Sequence, residues 1–280
     1  MKKVIFAAIA FLLLAGCSSE DNEELRVEND ELSEVTLTFS PYTMEAMTRA
    51  SASISEYCSR LDIWLYEGEN ELTSFQQQSS DEGFGSVSLT LNIQKEYTIY
   101  AVAHKANGSA SITDGIISFP EDKITHSFFV KHTFTPTKGM NINLTMNRIV
   151  SQFYLTTTDA VPEWCISLRF TFYGVFDRWD VDNGGVHQVD RVSTINLTSL
   201  RADNTVGCTL YNIVAGESTN HNILIEGLDA NGDVQESHTL NNVPLRNNYR
   251  TIAEGYFFSD AASTLSFVAE EWSDDLDFDF

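Results

Sequence analysis

The residue whose surroundings specify a chemical reaction most clearly is Cys17, because the small residues Ala15 and Gly16 directly precede it. Two lysines and eleven apolar residues, residues 4–14, come before them. This arrangement is typical of a secretory signal, whose apolar part is about 7–15 residues long. Small side chains give a peptidase access to the bond before Cys17, and acyl chains on its thiol would insert into a membrane at about 0.8 kcal/mol per buried methylene. The pattern predicts a lipoprotein that is anchored through Cys17.

A second candidate for processing is the peptide bond between Arg49 and Ala50. The small and polar residues 51–53 follow it, and this composition is typical of an exposed loop that a protease can cut. Upstream, Val35, Leu37 and Phe39 alternate with polar residues, which predicts a half-buried β-strand. The sequence therefore predicts a strand followed by a loop that is cut after Arg49.

Motifs for enzymatic chemistry are not found in the sequence. The six histidines form no HxH or HExxH pattern, and GxSxG, P-loop and GxGxxG motifs do not occur. Paired carboxylates are frequent in so acidic a chain by chance, so they give little support to a glycosidase. We therefore expect a protein that is not an enzyme and that uses no cofactor.

Two loops have spacings that a calcium site would share. Asp229, Asn231 and Asp233 alternate as the ligands of a calcium loop do, but the twelfth position of that loop is Leu240 instead of a glutamate. An Asn-Gly pair between two strands is better explained as a hairpin turn. The same interpretation applies to the loop at Asp180, and the sequence predicts no metal site.

Aromatic residues leave one binding function open. Phe172, Tyr173, Phe176 and Trp179 are clustered, and with the other tryptophans they could form a platform for a glycan. Aromatic side chains in β-sandwiches are more often part of the core. Glycan binding therefore remains an alternative hypothesis.

Three cysteines besides Cys17 leave the redox state open. Cys58, Cys165 and Cys208 are an odd number and have no CxxC spacing. A Cys165–Cys208 disulfide is compatible with an oxidising compartment, and three buried thiols are equally compatible with the sequence.

Charge excludes one class of partner. The chain has 17 basic and 40 acidic residues, for a net charge of -23. Such a balance argues against nucleic acid as a partner and against adhesion to anionic lipid by charge alone. The acidic runs near both ends are typical of solvated segments, and the first one is interpreted as a tether between lipid and fold.

Short alternating segments separated by polar turns predict an all-β protein built as antiparallel sandwiches. They fall into two series, so the 280 residues suit two domains. The expected organisation is a signal peptide and lipobox (1–17), an acidic tether with the lone strand (18–49), an N-terminal sandwich (50–146) and a C-terminal sandwich (147–280). The predicted strands lie at residues 35–39, 61–66, 86–93, 97–103, 128–134, 140–146, 149–156, 166–175, 192–197, 209–214, 222–228, 234–240, 248–258 and 265–268.

Several segments occur in an order that resembles a known family. They are the lipobox at Cys17, then Met47-Thr48-Arg49-Ala50, and then residues 61–67, 97–103, 144–150 and 243–251. In this order they resemble the fimbrillin-like lipoproteins of Bacteroidales, the type V pilins and their accessory subunits. The resemblance covers nearly the whole chain.

The resemblance implies two tandem transthyretin-like β-sandwiches in a fimbrial subunit precursor that reaches the outer membrane and cell surface. It implies that a trypsin-like protease cuts after Arg49 and that the strand with Val35, Leu37 and Phe39 is removed. A strand of another pilus subunit then fills the groove, so the implied partners are other subunits, with a host protein or glycan as a possible ligand. Residues 265–272 are either such a donor strand or the last strand of their own domain. If Arg49 stays intact, the chain keeps its lipid and is either a pilus anchor or a stand-alone surface lipoprotein such as a glycan-binding module.

Overall fold

Almost all regular structure in the described residues is β-strand, because apolar and polar residues alternate in segment after segment. A computed structural model describes residues 31–42, 53–198, 205–215, 219–259 and 265–272. Within these ranges the α-helical structure is a single turn, α1 (Ile54–Tyr57), capped by the side chain of Ser53. The prediction of an all-β fold is confirmed, and no helix of the described ranges is long and apolar enough to cross a membrane.

The strands fall into two groups, which we call the first half (residues 31–148) and the second half (residues 149–272). The first half contains β1 (Leu32–Pro41), β2 (Arg60–Glu67), β3 (Asn70–Gln78), β4 (Ser86–Asn92), β5 (Tyr97–His104), β6 (Ser111–Thr113), β7 (Ile116–Ser118), β8 (Phe128–Phe134) and β9 (Met140–Arg148). The second half contains β10 (Ser151–Thr157), β11 (Ser167–Asp180), β12 (Gly184–Asn196), β13 (Gly207–Asn212), β14 (Thr219–Leu228), β15 (Val234–Leu245), β16 (Tyr249–Gly255) and β17 (Ser266–Glu271).

The first half is a sandwich whose two layers are joined at one corner. One layer has the order β4-β1-β9 and the other has the order β3-β2-β5-β8. They join where Phe128 and Phe129 of β8 pair with the end of β9. Inward side chains of both layers form one buried cluster, which includes Leu37, Ile63 and Ile99.

The second half repeats this plan. One layer has the order β13-β10-β16-β17, and the other contains β15, β14, β11 and β12 side by side. Their inward side chains form a second buried cluster, which includes Phe153, Phe170 and Ile225. In both halves the first strand lies between an antiparallel neighbour and a parallel neighbour, which are β4 and β9 around β1 and β13 and β16 around β10.

The two parallel pairings correct one part of the sequence prediction, which expected antiparallel sandwiches throughout. Most pairings are antiparallel, but β1 with β9 and β10 with β16 run in the same direction. In each case a long connection, which contains the other strands, lets the later strand return beside the first in parallel orientation. The shared plan is consistent with two tandem domains. The boundary after residue 146 stays a prediction, and the described residues from Glu31 onward belong to one compact unit.

A hairpin of the first half extends a sheet of the second. Strand β7 pairs with the far end of β11 at Trp179, and β6 pairs with β7. A third buried cluster lies here and contains Trp64 and Val102 from the first half and Ile213 and Trp272 from the second. The outer face of the β2-β5 layer is therefore covered by residues that come later in the chain.

Candidate functional site

The strand predicted from Val35, Leu37 and Phe39 lies between β4 and β9, with a hydrogen-bonded neighbour on each side. These three side chains point into the first core and are 0%, 0% and 3% exposed. The alternate residues, among them Thr36 and Thr38, lie on the outer face. The alternation seen in the sequence therefore corresponds to one fully buried face and one outer face of β1.

Both edges of β1 are hydrogen-bonded to neighbouring strands. Residues 32–38 pair antiparallel with residues 86–92 of β4, and residues 35–41 pair parallel with residues 140–146 of β9. Next to these ladders, the Phe39 amide donates to the Gly85 carbonyl at 2.8 Å. Gly85 has a φ of +87°, and a Cβ there would lie 2.8 Å from Ile54 Cγ2, which explains the need for glycine. The neighbours of β1 thus form a groove that fits a strand.

Burial holds β1 firmly in this groove. Full burial of three large apolar side chains contributes roughly 5–9 kcal/mol in total. That is comparable to the whole stability of a typical domain, about 5–15 kcal/mol. Loss of the strand would also leave the inner edges of β4 and β9 without main-chain partners. An empty groove is therefore costly unless another strand enters it.

The connection from β1 to the rest of the fold is a single link. Every other described strand follows β1 in the chain, and the link runs from Tyr42 to Ser53. Arg49 is the only lysine or arginine between those two residues. The predicted lipidation site Cys17 and the predicted cleavage site Arg49–Ala50 lie outside the described residues. One cut in this link would leave β1 without a covalent connection to the other strands.

The three remaining cysteines are buried free thiols. Cys58, Cys165 and Cys208 are 0–2% exposed, and no disulfide joins them. Burial raises the pKa of the Cys58 and Cys208 thiols well above its usual value. Neutral thiols in an apolar surrounding are poor nucleophiles, so these cysteines belong to the core.

The two aspartate loops are turns stabilised by their own carboxylates. Asp229 accepts hydrogen bonds from the amides of Asn231 and Asp233 at 2.8 and 3.0 Å, and Asp180 accepts in the same way from Asp182 and Asn183. These backbone hydrogen bonds lower the pKa of both aspartates. Among the described residues no group of three His, Cys, Asp or Glu side chains could hold a metal ion.

The aromatic residues suggested as a glycan platform do not share one exposed face. Phe172 is fully buried in the second core, while Phe176 and Trp179 pack against the third cluster. Tyr173 is 39% exposed on the opposite face of β11. This arrangement offers one aromatic ring to a ligand, so the platform is not formed by these residues.

A buried Asp–His pair has a composition that catalytic sites share. Asp62 Oδ2 lies 2.9 Å from His104 Nε2, and it also accepts from the Ala110 amide at 2.8 Å. His104 Nδ1 accepts from the Ala106 amide at 3.2 Å, which makes Nε2 the donor to Asp62. The pair is almost completely buried. Its hydrogen bonds hold the loop between β5 and β6, which is a structural role.

A second buried histidine lies where the two halves meet. Arg148 Nε donates to His126 Nε2 at 2.8 Å. The His126 ring stacks on Trp272 and Tyr211, with centroids 4.9 and 5.7 Å apart. The guanidinium carbon of Arg148 lies 3.9 Å from the Trp272 ring centroid. These four residues, which we call the junction cluster, connect β8 and β9 to β13 and to the end of β17.

The junction cluster predicts a pH-dependent stability. Burial, and then the positive charges of Arg148 and Lys105, lower the pKa of His126 well below 6.5. Below about pH 6.5 the unfolded chain binds a proton at this residue that the folded chain does not, so stability falls as pH decreases toward the folded pKa. We expect an added slope of at most about 1.4 kcal/mol per pH unit between about pH 6.5 and 5.5.

Guanidinium unfolding at several pH values measures this slope. His126→Gln should remove it, because glutamine does not titrate in this range. The control is His132→Gln, which removes a half-buried histidine of β8 that lies outside the junction cluster. An identical slope in the His126→Gln protein would contradict the assignment.

Comparisons with known proteins agree with the fold. No protein-family model matches the chain, and no curated protein matches it in sequence. Solved structures do match. A candidate adhesin of Bacteroides thetaiotaomicron has a TM-score of 0.54 and 11% identity, with 84% of this chain and 95% of that chain covered.

Two fimbrial proteins of Porphyromonas gingivalis match as well. The fimbrial anchor protein Mfa2 has a TM-score of 0.51 and 11% identity and covers 86% of this chain and 98% of its own. The C-terminally truncated tip fimbrial protein Mfa3 has a TM-score of 0.50 and 8% identity, with 86% and 100% covered. The chain has the fold of the fimbrillin-like proteins of Bacteroidales. The resemblance stated from the sequence is thereby confirmed at the level of fold.

Proposed function

We propose that this chain is a fimbrial subunit precursor that polymerises when β1 is cut away and a strand of another subunit replaces it. The observation that carries the proposal is the position of β1, which is paired on both sides with β4 and β9, buried on one face and joined to the fold by one link. The fimbrial and adhesion proteins that share the fold support this role. The function is structural and adhesive, and it requires no catalytic residue or cofactor.

Donor-strand addition explains how release of β1 would drive assembly. The empty groove presents the inner edges of β4 and β9, so an incoming strand gains main-chain hydrogen bonds along both edges. Alternate side chains of that strand fill the sites of Val35, Leu37 and Phe39, which restores the buried area. The strand β10, which occupies the equivalent position in the second half, is linked at both ends and would need two cuts. Of these two equivalent strands, β1 alone suits release by one protease cleavage.

Substitution of Arg49 tests the proposal. Two basic residues, Arg49 and Arg60, lie between Arg26 and Lys95 in the sequence. Arg60 is part of β2, so Arg49 is the basic residue in the link after β1. We expect Arg49→Ala to abolish cleavage by a trypsin-like protease between β1 and α1 and to keep the protein monomeric. Arg26→Ala is the matched control, because it removes a basic residue on the other side of β1.

The measurement is N-terminal sequencing of the surface-located protein together with its size. For the natural chain, we expect a mature N-terminus at Ala50 and polymers that lack residues 32–41. Polymers of Arg49→Ala at the natural level would refute the cleavage step.

An uncleaved anchor is the second candidate function. The similarity to a protein named as a fimbrial anchor favours it. In that case Cys17 keeps its acyl chains in the outer membrane, Arg49 stays intact, and β1 remains in its groove. Acylated Cys17 on chains within assembled fibres would select this candidate over the subunit that loses β1.

A further inference from the structure

A cleft of about 730 Å³ opens where four parts of the fold meet. Its walls are the turn between β2 and β3, the outer face of β2 and β5, the turn between β6 and β7, and the turn between β11 and β12. It is separate from the groove of β1, because β2 points its inner face toward the first core and its outer face toward the cleft. The proposed assembly mechanism makes no use of it.

Two tyrosine rings line the cleft. Tyr66 and Tyr100 meet edge to face, with centroids 5.3 Å apart and an interplanar angle of 81°. The Tyr66 hydroxyl donates to Glu71 Oε2 at 3.2 Å. Burial, followed by the nearby Glu71 charge, raises the pKa of Tyr66 to about 12, so this hydroxyl stays protonated and keeps the Glu71 carboxylate in place.

The charged side chains that line the cleft are all acidic. They are Glu69, Glu71, Asp114 and Asp182, and no lysine, arginine or histidine is among the described residues of the lining. Within the part of the chain that the structure describes, Glu69 and Asp114 form no hydrogen bond or ion pair through their carboxylates. A bound cation would therefore gain charged acceptors that have no competing partner.

An ammonium group already occupies one edge of this surface. Lys131 lies opposite Tyr100 across the β5–β8 pairing. Its Nζ is 5.5 Å from the Tyr100 ring centroid and donates a hydrogen bond to Asp182. That hydrogen bond raises the pKa of Lys131. The pairing of a ring face with a carboxylate is the arrangement that attracts cations in proteins.

We propose that this cleft binds an ammonium or guanidinium group, of the kind that a lysine or arginine side chain of a protein partner presents. The Tyr66 ring supplies cation–π attraction, because Lys131 already lies over the Tyr100 ring, and Glu69 and Asp114 supply charged acceptors. A neutral sugar is less well matched, because its hydroxyls need donors as well as acceptors and the charged residues of the cleft only accept. A free polyamine carries the same chemistry as the side chain, so the test separates the two sources.

Calorimetry or NMR titration of the purified full-length protein in mild detergent tests the proposal. The probes are blocked pentaglycine peptides whose central residue is lysine, arginine or glutamine, and spermidine as the free amine. We expect the lysine and arginine peptides to bind, the glutamine peptide not to bind, and added salt to weaken the binding. Spermidine that binds while the peptides do not would assign the site to free amines.

Matched double variants locate the binding. Glu69→Gln with Asp114→Asn should weaken binding of the lysine peptide roughly tenfold. Glu121→Gln with Asp122→Asn removes the same charge from a different exposed loop and should change the affinity less than about twofold. Tyr66→Leu is a second variant, and loss of binding in this protein would show that the Tyr66 ring contributes to the affinity.

Three results would overturn the proposal. Equal binding of the glutamine peptide would show that the charge is not recognised. Equal weakening by both double variants would show that only overall charge matters. Binding of a neutral pyranoside that the cleft variant removes would assign the cleft to sugars.

Discussion

A disulfide that joins β1 to β4 is expected to reduce assembly to background after protease cleavage. Thr36 and Ser88 are directly opposite in the antiparallel pairing, and their hydroxyl oxygens are 3.3 Å apart on the outer face. Directly opposed residues have Cα separations of about 4.5–5.5 Å, which lies in the range of disulfides. The protein with Thr36→Cys and Ser88→Cys should therefore form the bond without a shift of the strands.

The consequence follows from the need to empty the groove. With the bond intact, the cut after Arg49 breaks the chain, but β1 stays between β4 and β9 and no other strand can enter. Reduction of the bond should restore polymers to the level of the natural sequence. The measurement is light scattering after protease treatment, with and without a reductant, and non-reducing electrophoresis to verify the bond.

A second cysteine pair is the matched control. Thr98 and Thr133 are opposite each other in β5 and β8, and their hydroxyl oxygens are 2.9 Å apart. Neither strand leaves its place in the proposed mechanism, so this bond should not affect assembly. If the β1–β4 bond leaves polymer formation at the control level under oxidising conditions, release of β1 is not required and the proposed mechanism is wrong.

The sequence predicted β1 well because its environment is simple. One buried face and one outer face give a period of two, and Val35, Leu37 and Phe39 satisfy it without interruption. The same holds for most of the strands that were predicted, including those on both sides of the turn at Asp229. In these cases burial alone decides the pattern, and burial follows from the side chain. The prediction around the turn at Asp182 was incomplete, because β11 continues to Asp180 and β12 begins at Gly184, whereas the predicted strands are 166–175 and 192–197.

Strand β3 was not predicted because almost nothing on it is buried. It is an edge strand, and its composition is polar on both faces. The Gln77 side chain donates a hydrogen bond from Nε2 to the Ser86 carbonyl at 2.8 Å. Its Oε1 accepts a hydrogen bond from the Gly85 amide at 3.0 Å. Main-chain pairing with β2 holds this strand in place, and such pairing produces no alternation of apolar and polar residues in the sequence.

The sequence predicted neither the junction cluster nor the cleft that Tyr66, Asp114 and Asp182 line. Tyr66, Asp114 and Asp182 are far apart in the chain, and the β6–β7 hairpin brings them together only because it pairs with β11. Likewise, His126 and Trp272 are 146 positions apart in the sequence. Periodicity describes which face a residue occupies within its own strand, and it carries no information about the partner across an interface.

Among substitutions at residues 265–272, truncation of Trp272 is expected to give the largest loss of stability. Every side chain of β17 is exposed, so this strand gains little from burial of its own residues. Trp272 follows it directly and is only 2% exposed, within the junction cluster. Trp272→Ala should lower the free energy of unfolding by about 3–5 kcal/mol, the usual cost for a buried tryptophan.

The same substitution should loosen β17 itself. Without the ring, β17 is held to β16 mainly by the pairing of residues 266–271 with residues 249–254. We therefore expect hydrogen exchange of the β17 amides to accelerate more than that of β10 or β14. Phe267→Ala is the control, because Phe267 is 38% exposed, and it should cost less than about 1 kcal/mol. Equal protection of the β17 amides in the Trp272→Ala and natural proteins would contradict this prediction. It would mean that main-chain pairing holds the strand without the buried indole.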